Sequence, residues 1–280
     1  MAVPAENIVT NAAAQSAVSG ISQGLYESSS TQKGPVGARM AFNDGRVFRY
    51  SYFVSAVSAG TLCAQDASIS NVGETAATTV RDSAGTAADI ASSDSVDVLY
   101  FLDTDLFTAA NSNDIFAGGY VHHIASAEGG YTYRVRGNTY TAATSVMQVD
   151  LYDTIAANIS SQNEMAVTGS MYNYLAIANN GTDDVVVGVP MVDAAAADYG
   201  WVQTWGVATV LADESAGTIA AGTVAVLSDG VNGAAEPLNL AAVASEEDRA
   251  LLNFAEPILG HFLSAATNGN FTNIFLQIAP

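Results

Sequence analysis

The chain has 280 residues, of which 28 are Asp or Glu and 8 are Lys or Arg, a formal net charge of -20; 13% of residues are charged and 49% hydrophobic. So few cations give no basic footprint to displace counterions from phosphate, and the overall field repels polyanions, so neither nucleic acid nor an anionic membrane surface is an expected partner. The hydrophobic share argues against disorder, no apolar run approaches the roughly 20 residues that span a bilayer, and the single cysteine, Cys63, excludes an internal disulfide framework or a thiolate zinc site.

The opening MAVPAENIVTNAAAQ has neither a basic n-region nor a continuous apolar h-region, so no secretory signal is expected. Residues 1–35 are small and polar, with a thin apolar stripe at Val18, Ile21 and Leu25 that Ile8 extends. Gly20 and Gly24 weaken any helix there, and the run Ser28-Ser29-Ser30-Thr31 ends it. The stretch reads as an extended N-terminal arm with one marginal helix, too poor in apolar surface to order itself, which either packs on a neighbouring subunit or stays mobile.

Residues 36–280 read as a β body, either one unit or two β-barrel halves, 36–155 and 156–280. Aromatic and β-branched runs predict strands at 48–54, 96–102, 146–152, 185–189, 201–211, 222–228 and 273–279. YVHHIA (120–125) and YTYRVR (131–136), joined by Ser126-Ala127-Glu128-Gly129-Gly130, predict an antiparallel hairpin. Helices are few. Ser245-Glu246-Glu247-Asp248 has the capping-box form and predicts a short helix over 246–254; 153–163 is a second candidate, and 167–177 fits helix or strand. AVSAGTLCAQD (56–66) resembles GTIAAGTVAVLSD (217–229), each with an Ala-Gly-Thr turn before a strand; related barrel halves and chance recurrence both explain it. Many short strands between Gly- and Asn-rich turns predict a mainly β fold, an antiparallel sandwich or barrel with an N-terminal arm and one or two short helices.

Chemistry-bearing residues are sparse. His122 and His123 are adjacent in a strand and so point to opposite faces, which prevents joint chelation; His261 is isolated. Asp103, Thr104 and Asp105, with Asn111, Asn113 and Asp114, form an oxygen-rich patch of the kind calcium prefers, but lack the EF-hand order, and a solvated loop is the favoured reading. Carboxylates for a glycosidase pair are abundant, yet nothing selects two of them. Cys63 between apolar neighbours reads as a buried small hydrophobe. Tyr199, Trp201 and Trp205 in DYGWVQTWG could stack on sugars, but core or interface packing is favoured. No nucleophile, metalloprotease, phosphate-loop or dinucleotide motif occurs, so no catalytic, cofactor or metal residues are assigned and no enzyme activity is expected.

One order of short motifs resembles a known class. Asp44-Gly45-Arg46-Val47-Phe48-Arg49-Tyr50 is followed by Ala59-Gly60-Thr61-Leu62, Phe116-Ala117-Gly118-Gly119-Tyr120 and Arg136-Gly137-Asn138-Thr139. Tyr199-Gly200-Trp201-Val202-Gln203-Thr204-Trp205-Gly206, the most distinctive of them, and Ala221-Gly222-Thr223-Val224 complete it. Over residues 36–280 this resembles structural proteins encoded in the head modules of tailed bacteriophages, common among aquatic phages. The resemblance implies a virion component without catalytic residues or cofactors. The expected role is a capsid decoration (cement) protein on the outer capsid surface, with the major capsid protein and further copies of itself, a trimer for example, as partners. The alternatives are a head-fibre or tail adhesion component that binds host glycans, and a carboxylate-dependent polysaccharide hydrolase. A major capsid protein is disfavoured, because no long helical pattern is present.

Overall fold

The computed structural model describes residues 21–66, 80–102, 113–124, 129–160, 165–180, 185–238 and 258–280. The chain forms two compact units, Met1–Gln65 with Tyr174–Pro280, and Asp66–Asn173. The division therefore does not follow the 36–155 and 156–280 halves: the second unit lies, in sequence, inside the first.

The first unit holds β1 (Arg39–Ala41), β2 (Val47–Tyr52), β3 (Cys63–Gln65), β9 (Leu175–Ile177), β10 (Val186–Pro190), β11 (Tyr199–Leu211), β12 (Val224–Leu227), β13 (Ala235–Pro237), β14 (Ile258–Phe262) and β15 (Phe271–Gln277). These make one curled sheet in the order β13-β12-β14-β15-β11-β10-β3-β9, with β2 also on β11 and β1 on β2; the pairings are antiparallel. β11 is the spine. Tyr199–Trp205 pair with β2 and Trp205–Leu211 pair with β15. Just beyond its end, Ala212 bridges Ala235, and Asp213 N–H donates to Ala235 O at 2.9 Å, which brings the sheet back on itself. Leu62, Val210, Leu227, Phe262, Ile274 and Leu276 fill the interior.

Strict alternation explains β15. Thr272, Ile274 and Leu276 point inward while Phe271, Asn273, Phe275 and Gln277 point away, the period expected of a half-buried strand. Gly260 on β14 lies so close to β15 that a Cβ would stand 1.9 Å from Phe275 O. Its φ of +144° is likewise open only to glycine.

The Ala-Gly-Thr likeness is a real geometric repeat. Thr61 N–H donates to Ser58 O and Thr223 N–H to Ala220 O, both at 3.2 Å, around Gly60 at φ +78° and Gly222 at φ +86°. Glycine at the third turn position is what a type II turn requires. Both turns belong to the first unit, so they do not mark the boundary between units.

The arm expectation needs correction over its described part. Residues 21–35 contain no helix. Leu25 is buried with Met40, Phe48, Tyr50 and Trp201, and Ile21 packs against them. Ser29 and Tyr199 exchange backbone hydrogen bonds of 3.0 and 2.8 Å. The thin apolar stripe orders on β2 and β11 of its own chain because these strands offer both an apolar pocket and open backbone groups. The remainder of the expected helix, at Val18 and Ile8, lies outside the described residues.

The second unit holds β4 (Val98–Leu102), β5 (Tyr120–His123), β6 (Tyr131–Thr141), β7 (Val146–Leu151) and β8 (Met165–Thr168), in the order β4-β7-β6-β5-β8, all antiparallel. The 120–136 hairpin forms as expected, with Tyr120 opposite Arg134 and His123 opposite Tyr131. Among the described residues the one helical turn is a 3-10 turn at Ser92–Asp94. Residues 153–160 are not helical; Ile159 instead bridges Ile90. The ambiguous 167–177 stretch resolves into the end of β8, a turn at Ser170–Asn173, and β9. The expected 246–254 helix lies outside the described residues.

Candidate functional site

The two histidines of β5 do not converge. His122 is half-buried between two hydroxyls, Nδ1 at 3.2 Å from Thr132 Oγ1 and Nε2 at 3.1 Å from Thr168 Oγ1, and burial lowers its pKa. His123 is buried on the opposite face of β5, and His261 is exposed on β14. Among the described residues no three His, Cys, Asp or Glu side chains meet as a metal site would require. Of the oxygen-rich patch, Asp103, Thr104, Asp105 and Asn111 lie outside the described residues; Asn113 Oδ1 accepts from Tyr140 N–H at 3.1 Å. Cys63 is fully buried in β3, and desolvation pushes its thiol pKa far up, which leaves it inert.

The Tyr199/Trp201/Trp205 cluster divides. Four residues apart on a regular strand, Trp201 and Trp205 would share a face. A β-bulge between Gln203 and Trp205 breaks that rule. Trp201 pairs with Tyr50 and Trp205 with Val47, which lie on opposite faces of β2. Gly206, at φ +89°, accompanies the bulge, and a Cβ there would lie 3.1 Å from Arg46 Cα. Trp201 is thus buried (1% exposed), its indole N–H donating to Gln23 O at 3.2 Å and its ring edge-on to Tyr50. Trp205 is half-buried, edge-on to Phe275. The three rings do not form one sugar-stacking platform.

The polar side chains of the same motif are also occupied. Gln203 Nε2 donates to Trp205 O and Val207 O at 3.0 and 2.9 Å, and Thr204 Oγ1 donates to Ala279 O at 2.6 Å. The motif is the brace of β11.

Two features went unnoticed in the sequence. The first is a buried carboxyl pair where β11, β12 and β13 meet. Asp213 (1% exposed) accepts from Ser215 Oγ at 2.6 Å and Ser228 Oγ at 2.7 Å, and Ser215 Oγ also lies 3.3 Å from Glu236 Oε2. Burial alone would raise the Asp213 pKa, but the Ser215 and Ser228 hydroxyls and the Ser215 amide hold it below the usual carboxylate range. Ser228 Oγ in turn accepts from Gly230 and Val231 N–H. The cluster pins strand ends together.

The second is a surface. The outward side chains of β11, β14 and β15 present Trp205, Val207, Thr209, Phe271, Phe275 and His261, and none of the three strands contains Asp, Glu, Lys or Arg. Beside it runs a groove of about 400 Å³ between Tyr26, Arg46, Gly60, Pro190, Val207 and Phe271. Its one cation, Arg46, is paired with Asp44 at 2.7 Å. Sequence could have flagged this face through the absence of charge in YGWVQTWGVATVL and, later in the chain, in the consecutive segments ILGHF and FTNIFLQ.

No known protein family, no curated protein and no solved structure matches the chain.

Proposed function

We propose that this chain is a virion structural protein, a decoration (cement) protein that binds the outer surface of an assembled capsid and stabilises it. The observation that carries the reading is the use made of YGWVQTWG, the most distinctive motif of the phage resemblance. Trp201 and Thr204 are consumed in holding β11 to Gln23 and Ala279, and Gln203 in bracing β11 itself across its bulge, at Trp205 O and Val207 O. A passive building block needs motifs that brace it.

The charge supports the same reading. A chain of net charge -20 is repelled by packaged DNA, which favours the outer face of a shell over the inner one. Stabilisation then follows from mass action: many copies that bind assembled shell and not free subunits shift the equilibrium towards the shell. The test is copy number in purified particles, together with binding to assembled shells against unassembled subunits. Hundreds of copies in a simple ratio to the shell protein, with binding confined to shells, is the expected result. A handful of copies per particle would assign the chain to a tail or fibre instead, and absence from particles would overturn the reading altogether.

A further inference from the structure

We infer that the uncharged outer face of β11, β14 and β15 is the surface through which one copy of this chain docks on another. This deepens the reading above and takes up the self-association that the phage resemblance implies, but its test uses the protein alone, so either can fail without the other.

The face is built as a regular ladder. His261, Phe275 and Val207 stand in one cross-strand row, and Asn273 and Thr209 in the next, with Thr209 Oγ1 3.2 Å from Asn273 Oδ1. Trp205 closes one end and Phe271 the other. Trp205 and Phe275 are half-buried against each other, but the other two apolar members are left largely to solvent. Val207 is 51% exposed and Phe271 56%, while the inward side chains of the same strands fill the core. Cross-strand apolar rows with a polar middle suit face-to-face sheet packing, where neighbouring sheets lie about 10 Å apart.

Charge selects the occupant. Two copies bring formal charges of -20 together, so contact is opposed over most of the surface. A patch free of Asp and Glu is where that repulsion is weakest, and there burial of aromatic and aliphatic side chains can win. A basic partner would be drawn to the acidic surfaces instead and would gain nothing from a neutral one. The adjoining groove, with Tyr26 standing 65% exposed at its rim, adds relief that a second copy can fill.

The test is sedimentation velocity of the full chain over a concentration series at low and high salt, with Val207→Asp and Thr209→Asp. Both side chains already meet solvent, and far-UV circular dichroism confirms that each variant folds. The wild type is expected to self-associate more tightly as salt rises, because salt screens the repulsion. Each variant should weaken association by about tenfold or more, since it places a carboxylate in the contact. A monomer at every concentration and salt overturns the proposal. So does association that falls with salt, or that persists unchanged in both folded variants.

Discussion

Tyr50 donates its phenolic hydrogen to Gln23 Oε1 at 2.6 Å, a buried bond that joins the chain's N-terminal stretch to β2. Gln23 is a hub. Its Nε2 donates to Glu27 O at 2.7 Å and Tyr199 O at 2.8 Å, and its own carbonyl accepts the Trp201 indole N–H. Gln23→Ala removes the acceptor of Tyr50 and the side-chain donor to Tyr199. A buried polar group left without its partner costs about 1–3 kcal/mol, so urea unfolding should show a loss of that size. Tyr50→Phe in the same background should add less than it costs alone, because the two share one bond. Full additivity would mean that the bond contributes nothing.

Deleting residues 1–35 tests the same relationship at larger scale. An independent arm would leave the β body unchanged. Here Leu25 and Gln23 cover Trp201 and Tyr50, so their removal uncovers an indole that is otherwise 1% exposed. The expected outcome is a marked loss of stability and red-shifted tryptophan emission. A truncated chain with wild-type stability and emission would show that the contact is dispensable.

Asp213 sets an acid limit on stability. Its carboxyl is held below the ordinary value of about 3.9, so its stabilising contribution is fully present above that value and is lost as pH falls through the lower, folded pKa. Asp213→Asn should lower stability at neutral pH by about 1.5–3 kcal/mol, the range for hydrogen bonds to a charged group, and should flatten the decline below about pH 4. Ser228→Ala should move in the same direction by less, since Ser215 remains. Stability curves against pH for the three proteins decide it; parallel acid limbs would exclude Asp213 as a contributor.

How much of this was legible beforehand depends on how local the cause is. FTNIFLQ alternates, and its inward set is the observed one; the 120–136 hairpin carries its own turn and forms in register. The three-residue strands β1, β3, β9 and β13 are too short to show a period; β3 and β9 are created by partners distant in sequence, Cys63 facing Ile177, whereas β1 and β13 fold back on their chain neighbours β2 and β12. The bulge at Gln203–Trp205 reversed the facing expected for Trp205, and its only local sign was Gly206, a single glycine inside a strand pattern. Gln23 looked like filler in a small, polar stretch, and Asp213 and Glu236 like two of many acids. Both became visible only when the fold brought their hydroxyl and carbonyl partners to them.

Gly260→Ala tests a close strand approach in the first unit. Its Cβ would sit 1.9 Å from Phe275 O, on backbone that cannot yield without parting β14 from β15, and at a φ of +144° that alanine avoids. A loss of more than about 4 kcal/mol, enough to unfold a marginal domain, is expected. A soluble variant with a wild-type melting temperature would mean that the two strands separate readily.

The two tryptophans should report separately, and this bears on the glycan-adhesion alternative. Trp201 is sealed beneath Leu25 and Tyr50, whereas Trp205 stands half-buried on the opposite face beside Phe275. Acrylamide quenching of the wild type should therefore show two components. Trp205→Phe should remove the accessible one and leave a blue-shifted, quencher-resistant emission from Trp201. The edge-on contact with Phe275 is one aromatic pair, worth about 0.5–1.5 kcal/mol, and Phe preserves most of it, so the variant should fold. A sugar-stacking platform made jointly by Tyr199, Trp201 and Trp205 would instead give one accessible population whose emission shifts with saccharide. Observation of that shift in both Trp205→Phe and the wild type would require the Trp201 side of β11 to open, contrary to the packing of Leu25 and Gln23 upon it.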